Sequence, residues 1–314
     1  MARAEDPEAT VKRNAAQAIC AARDPKCDWL GTMSSLERAS MLRVLAARGY
    51  ELEPAPWGKV IGHVFVFNEE VFAEPTPILE FFNIFHYTTR ESAIHDELTT
   101  HAGELWNQDL VEESARRLRD PLYSSVVITV PVKSRDPGKV DLLVVTRDVW
   151  SIRLNTTYTF QEGSLTNLNI SLSENNFLGN RDVVAAALTM DQGAIAMGPL
   201  FIDKNVAGQH LNLQARVDDI FTRKDLLDDG HFHSEGTDST LSLSKSLWSL
   251  ASEWGWGVAF THRYAIARQF VGTSLRTYDD PNTLLNDMLP WTYDTKSWDL
   301  SANGVRQWGT DIKQ

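Results

Sequence analysis

Two groupings of histidine with acidic residues invite a metal reading. His95-Asp96-Glu97-Leu98-Thr99-Thr100-His101 places two imidazoles around an acidic pair. A zinc-protease helix needs His-Glu-x-x-His, which brings both imidazoles to one face; at this wider spacing they point to different faces. A solvated surface accounts for the stretch. Asp228-Asp229-Gly230-His231-Phe232-His233 offers oxygen and nitrogen ligands together, yet it falls between two strand patterns, where a polar loop needs no ion. Cys20 and Cys27 flank Asp24-Pro25, which breaks any single helix and lets the chain fold back. An oxidising compartment permits a disulfide between them, and two separate thiols in a helical segment are the alternative. Their spacing is no metal motif, and no second Cys/His pair completes one. The sequence has no Walker A loop, no Gly-x-Ser-x-Gly elbow and no dinucleotide fingerprint. Its carboxylates form no catalytic pair. The expectation is a protein that is not an enzyme and uses no metal or cofactor.

Composition narrows the partners. The 314 residues carry a formal charge of -12, the wrong sign for a nucleic-acid surface. No run approaches the roughly 20 apolar residues of a membrane helix. Strands that cross a membrane alternate and leave no such run. Residues 1–10 are polar and lack the plan of a signal peptide, so an exported chain would begin after its leader.

Residues 1–57 read as a helical segment and a linker. Ser34-Ser35-Leu36-Glu37 has the form of a capping box before Leu36, Met41, Leu42 and Leu45, Gly49 sits where a helix stops, and Pro54 and Pro56 mark a loop. Residues 58–149 read as a compact α+β unit. A Val/Phe-rich strand at 60–67 precedes Thr88-Thr89-Arg90-Glu91, a second capping-box pattern, with Ile94 and Leu98 on one face and Gly103 ending the helix. Asn107 caps another helix with Leu110, Val111, Ser114, Ala115 and Leu118 on one stripe. Val126, Ile128, Val130 and Val132 alternate as a strand, Asp136-Pro137-Gly138 turns, and Val140, Leu142 and Val144 resume.

From Trp150 the period becomes two and stays so. Ile152, Leu154, Thr156, Tyr158 and Phe160 alternate with Arg153, Asn155, Thr157, Thr159 and Gln161. Leu168, Ile170 and Leu172 alternate with Asn and Ser, as do Leu211, Leu213, Ala215 and Val217 with polar residues, and Trp254, Trp256, Val258 and Phe260 with Gly, Ala and Thr. A soluble sandwich or small ligand-binding barrel also alternates. The second set here is largely Asn, Ser, Thr, Gln and Arg, which suits a water-filled lumen better than a packed core. Trp150, Phe160, Trp248, Trp254 and Tyr264 stand at segment ends, as interfacial girdles do.

These residues resemble the BamA-like outer-membrane superfamily. Residues 58–150 are similar to a POTRA domain in their strand-helix-helix-strand-strand order, in the start at Thr89-Arg90-Glu91, in Glu113-Ser114-Ala115-Arg116-Arg117-Leu118 and in Val140-Asp141-Leu142-Leu143-Val144-Val145. Ser173-Glu174-Asn175-Asn176-Phe177-Leu178-Gly179-Asn180 resembles the hairpin found early in barrels of that superfamily, with Glu174, Asn176, Phe177 and Gly179 as its motif residues. Pro199-Leu200-Phe201 and 208–213 resemble the following strand.

The resemblance implies a fold and a role. The fold is an α+β POTRA domain (β-α-α-β-β) followed by antiparallel transmembrane β-barrel strands at 150–314. Family barrels have about sixteen strands, whereas the chain beyond Trp150 has length for about seven or eight. The Val-Arg-Gly-Phe motif of the family is not present at Val305-Arg306-Gln307-Trp308. The reading is therefore the start of a barrel, in a fragment. The implied role is assembly, insertion or translocation at the outer membrane, with the N-terminal domain in the periplasm. The implied partners are the lipid bilayer and unfolded client proteins or accessory assembly subunits. Clients would add a strand to Val126, Val127, Ile128, Thr129 and Val130, because an edge strand offers unpaired main-chain groups and Pro131 suits an edge. Ile152, Leu154, Tyr158 and Phe160 would form the first barrel strand, and Leu168, Ile170 and Leu172 would face lipid. A soluble periplasmic β-rich binding module and a passive outer-membrane pore or adhesin are the alternatives.

Overall fold

The computed structural model describes residues 33–69, 87–223, 231, 233–249, 252–283 and 287–308. Cys20 and Cys27, and Asp228, Asp229, Gly230 and Phe232 of the histidine-containing loop, lie outside the described residues. The chain divides into two compact units. One holds the residues up to Ser151 together with Leu178–Arg181, and the other holds Ile152–Phe177 and the residues from Asp182 onward.

The first unit is built on three strands. Its elements run α1 (Ser35–Arg48), β1 (Val60–Glu69), α2 (Glu91–His95), α3 (Gln108–Leu118), β2 (Ser124–Lys133) and β3 (Lys139–Asp148). The sheet order is β1-β3-β2, with β1 parallel to β3 and β2 antiparallel to it. A parallel neighbour requires a crossover, which the stretch carrying α2 and α3 supplies. β3 lies between the other two strands and is buried almost throughout, which fits its run of Leu and Val with little alternation.

Both faces of this sheet are covered. On one, Ile94, Leu98, Trp106, Val111, Ala115 and Leu118 pack with Val127, Val140, Leu142 and Val144. On the other, Met41, Val44 and Leu45 of α1 pack with Val126, Ile128, Val130, Val132, Leu143 and Val145. The segment expected to be a separate helix and linker thus contributes a layer of this core. The cap of α1 is as expected: Ser34 accepts from Glu37 N–H, Glu37 reaches back to Ser34 N–H at 2.9 Å, and Gly49 closes the helix in the left-handed conformation. Its buried stripe is different. Leu36 and Leu42 are exposed, while Ser40 and Val44 join Met41 and Leu45 inside.

Two other local expectations are corrected. The helix expected from Thr88 to Gly103 is the short α2, whose N-cap is Arg90 without a side-chain cap bond. Thr89 is bound elsewhere: its N–H and hydroxyl donate to the Asp148 carboxylate at 2.7 and 2.9 Å, and the Asn68 amide adds a third donor at 2.9 Å. A buried carboxylate with several donors outcompetes a helix cap for the same threonine. The 51–58 stretch is more than a loop, since Leu52 pairs antiparallel with Val132.

The second unit is an up-and-down sheet of eight strands: β4 (Ile152–Gln161), β5 (Ser164–Phe177), β6 (Asp182–Met190), β7 (Ala194–Asp203), β8 (Leu211–Thr222), β9 (Ser234–Lys245), β10 (Trp254–Arg268) and β15 (Thr292–Arg306). Between the last two lie the small hairpins β11 (Phe270–Val271) with β12 (Ser274–Leu275), and β13 (Thr277–Tyr278) with β14 (Leu289–Pro290). Every neighbouring pair in the large sheet is antiparallel. Glu162-Gly163 joins β4 to β5 with both residues at positive φ, which matches the strand twist of a tight hairpin. β4 and β15 are the two ends of the order and do not pair with each other. Of the expected barrel, the described residues therefore present a large open sheet and not a closed wall. No helix among the described residues is long and apolar enough to cross a membrane, which leaves strands as the means of crossing untouched.

Candidate functional site

Strand-pairing capacity starts from main-chain groups. Val126, Val127, Ile128, Thr129 and Val130 all lie in β2, at one edge of the three-stranded sheet. Their side chains alternate between the two covered faces, so the strand is buried by its flanks while its outer rim is main chain. The parity of that rim follows from two bonds: Glu53 N–H donates to Pro131 O at 3.0 Å, and Lys133 N–H donates to Glu51 O at 2.8 Å. The odd-numbered residues therefore turn their N–H and C=O outward, Val127 and Thr129 among them. Arg119 donates to Val127 O at 3.3 Å. Strand β1 forms the opposite edge, and its first residues are covered: Gly103 and Trp106 donate to Ile61 O and Lys59 O, and Ile61 donates to Glu104 O.

The charges beside the β2 rim are paired. Lys133 Nζ lies 2.6 Å from Glu51, and Lys59 Nζ lies 2.7 Å from Glu53. The hydrogen bond and charge of Lys133 hold the Glu51 carboxyl below the usual carboxylate range, and Glu51 in turn raises Lys133. For Glu53, burial pushes upward, but Lys59 and the Ala55 N–H outweigh it and hold the group low.

The hairpin motif separates into a strand end and a turn. Glu174 Oε1 accepts from Asn176 N–H at 2.7 Å, and Asn175 and Asn176 are buried. The turn Leu178–Arg181 belongs to the first unit, where Arg90 N–H donates to Gly179 O at 2.9 Å. Gly179 has φ +78, and a Cβ there would lie 2.5 Å from Thr88 O, so only glycine fits without displacement. Arg181 stacks over the Tyr123 ring at 5.3 Å and donates to Ser124 Oγ at 3.2 Å. Burial draws its guanidinium below the ordinary value, opposed by the carboxylates of Glu97 and Asp148. The sequence marks Gly179 through its hairpin motif but gives Arg181 no signal beyond a charge at a turn.

The large sheet sorts its two faces by chemistry. Following the pairing across all eight strands, Ile152 is followed by Glu174, Val184, Phe201, Ala215, Leu241, Phe260 and Leu300. One residue along, Arg153 is followed by Ser173, Ala185, Leu200, Arg216, Thr240, Thr261 and Asp299. The apolar face is the exposed one. Leu154 is 68 % exposed and Leu300 80 %, and Tyr158, Phe160, Ile170, Leu172, Leu241, Trp254, Trp256, Val258 and Phe260 are exposed with them. Ile152 and Leu168 are half-buried. Along β10 the intervening Gly255 and Gly257 are buried. The polar face carries ion pairs between Arg216 and Asp218 at 2.6 Å and between Arg263 and Asp238 at 3.0 Å. A protein bathed in water on both sides arranges these chemistries the other way round.

No protein-family model and no curated protein matches the chain. Among solved structures, BamA from Haemophilus ducreyi lacking POTRA domains 1-3 matches with a TM-score of 0.51 and 11% identity, covering 82% of this chain and 48% of that one. The fold is similar to a BamA barrel. CdiB from Acinetobacter baumannii matches with a TM-score of 0.40 and 13% identity over 80% of this chain and 43% of that one. The chain spans about half the length of the BamA structure it matches. Among the described residues no cluster of three or more His, Cys, Asp or Glu is placed to hold a metal ion.

Proposed function

We propose that this chain is a non-enzymatic outer-membrane protein of BamA-like type, which assembles, inserts or translocates client proteins. The observation that carries the reading is the apolar face in register across the sheet, exposed on β4, β5, β9, β10 and β15 and half-buried on β6 and β7, backed by a polar face with internal ion pairs. Burying such a face in hydrocarbon gains about 25 cal/mol for each Å² removed from water. The polar face then lines an aqueous interior.

The first unit supports the other half of the reading. Its strand-helix-helix-strand-strand order, with β3 between β1 and β2, suits a periplasmic POTRA domain, and α1 is an added layer on that frame. In this role β2 captures an extended client segment by adding it as a strand, using main-chain bonds that do not depend on client sequence. The hairpin residues Glu174, Asn176, Phe177 and Gly179 would shape the first barrel turn. Ile152, Leu154, Tyr158 and Phe160 would lie on the strand next to the seam where clients enter the membrane. A passive pore or adhesin would share the sheet and leave the first unit without a task.

Fractionation tests the proposal. The full-length chain should remain with membranes after carbonate washing, need detergent for extraction and show heat-modifiable mobility on a gel. Clean aqueous extraction of folded protein would overturn it in favour of a soluble periplasmic binding module.

A further inference from the structure

The open part of the β2 edge is shorter than the strand. Past the bulge at Ser125, outward main-chain groups fall on Val127, Thr129, Pro131 and Lys133, and the chain itself occupies the last two. Residues 51–53 lie antiparallel to this end of β2, with Leu52 opposite Val132. The left-handed cap at Gly49 and the bond from Tyr50 N–H to Leu45 O at 3.0 Å turn the chain out of α1 toward this edge. Tyr50 and Leu52 pack on the apolar cluster beneath, and the pairs Lys133 with Glu51 and Lys59 with Glu53 hold the segment from both sides. At the other end Arg119 donates to Val127 O. Among the described residues, what remains between them is the main chain of Thr129 and the N–H of Val127, too few rungs for a strand of ordinary length.

Resting on the strand-capture reading above, we infer that residues 51–53 are an internal occupant of the β2 edge, which a client must displace to pair along the whole strand. The segment satisfies the requirements of a client: it is extended, antiparallel, and anchored by one apolar side chain between two main-chain bonds. Being part of the same chain, it competes at a high effective concentration without regard to client supply. Capture of a client is then an exchange of strands, and the Pro131–Lys133 end of the edge stays covered between clients, which limits its exposure to aggregation.

The test uses the full chain in detergent and a fluorescent peptide copying β9, Ser234–Lys245, a largely polar strand sequence. Glu53→Pro removes the N–H that donates to Pro131 and the carboxylate that pairs with Lys59, and changes no residue of β2. It should raise peptide affinity at least about tenfold, the effect of one main-chain hydrogen bond with the loss of the ion pair added to it. Leu52→Cys with Val132→Cys, in a background carrying Cys20→Ser and Cys27→Ser, should close a disulfide, because residues opposite each other between ladder bonds have the required spacing. The oxidised form should lose peptide binding and regain it on reduction. Equal binding by wild-type, Glu53→Pro and oxidised proteins would overturn the occupant and leave capture at another edge standing. No binding by any of them, Glu53→Pro included, would overturn both the occupant and strand capture at β2.

Discussion

Asp148 shows how one residue can redirect a local signal. Its carboxylate is buried and accepts from Thr89 N–H, Thr89 Oγ1 and the Asn68 amide, while Thr146 Oγ1 donates to Asn68 Oδ1. These bonds tie the entry of α2 to the ends of β1 and β3. Asp148→Ala should destabilise the first unit by roughly 3 kcal/mol, since it strands an N–H and an amide in a dry site. Hydrogen exchange on the full chain would report this as lost protection at Thr89 and along β3. Unchanged protection would mean that water replaces the carboxylate. The Thr-x-x-Glu pattern suggested a cap here because the sequence gives no hint of an acceptor 59 positions away.

At the scale of elements, legibility followed period. Strands β4, β5, β8 and β10 were readable because two-residue alternation persists where both faces have fixed surroundings. Helix α3 was readable from Asn107 and from Val111, Ser114, Ala115 and Leu118 at helical spacing. Helix α1 was only half legible. Its caps are local and were found, but which stripe is buried depends on the sheet beneath it, and that sheet forms from residues far along the chain. The corrected stripe gives a direct contrast. Leu45→Ala should cost about 2–3 kcal/mol through lost burial and a cavity. Leu42→Ala, on the exposed side, should stay within about 0.5 kcal/mol. Exchange rates along α1 and β2 would separate the two variants, and equal effects would argue against α1 as a core layer. The pairing of residues 51–53 with β2 was hidden for a similar reason: two prolines nearby made the stretch look like a linker.

For the whole molecule, the decisive property is which way each face of the large sheet looks, and alternation alone does not reveal that. A sandwich and a membrane sheet share the period; they differ in whether the apolar set ends up covered or bare. Ile170 and Asn169 are neighbours on opposite faces of β5. Ile170→Arg should impair membrane insertion, at a cost of about 2–4 kcal/mol if the site is near mid-bilayer, whereas Asn169→Arg should be tolerated. Membrane-integrated yield from matched expression would measure the difference. Equal loss from both would argue against the assigned faces.

The eight strands follow one another in space in the same order as in the chain, each pairing with its immediate predecessor. From β4 to β8 the connections are short, so the entropic cost of each addition stays small and the sheet can zip up hairpin by hairpin, while the 269–291 connection, with its own small hairpins, must close before β15 joins β10. Each completed strand can serve as the template for its neighbour, and a partly built sheet grows at its free rims. A defect in a single turn, such as the Glu162-Gly163 hairpin, would stall progress at that point while leaving strands already laid down in register.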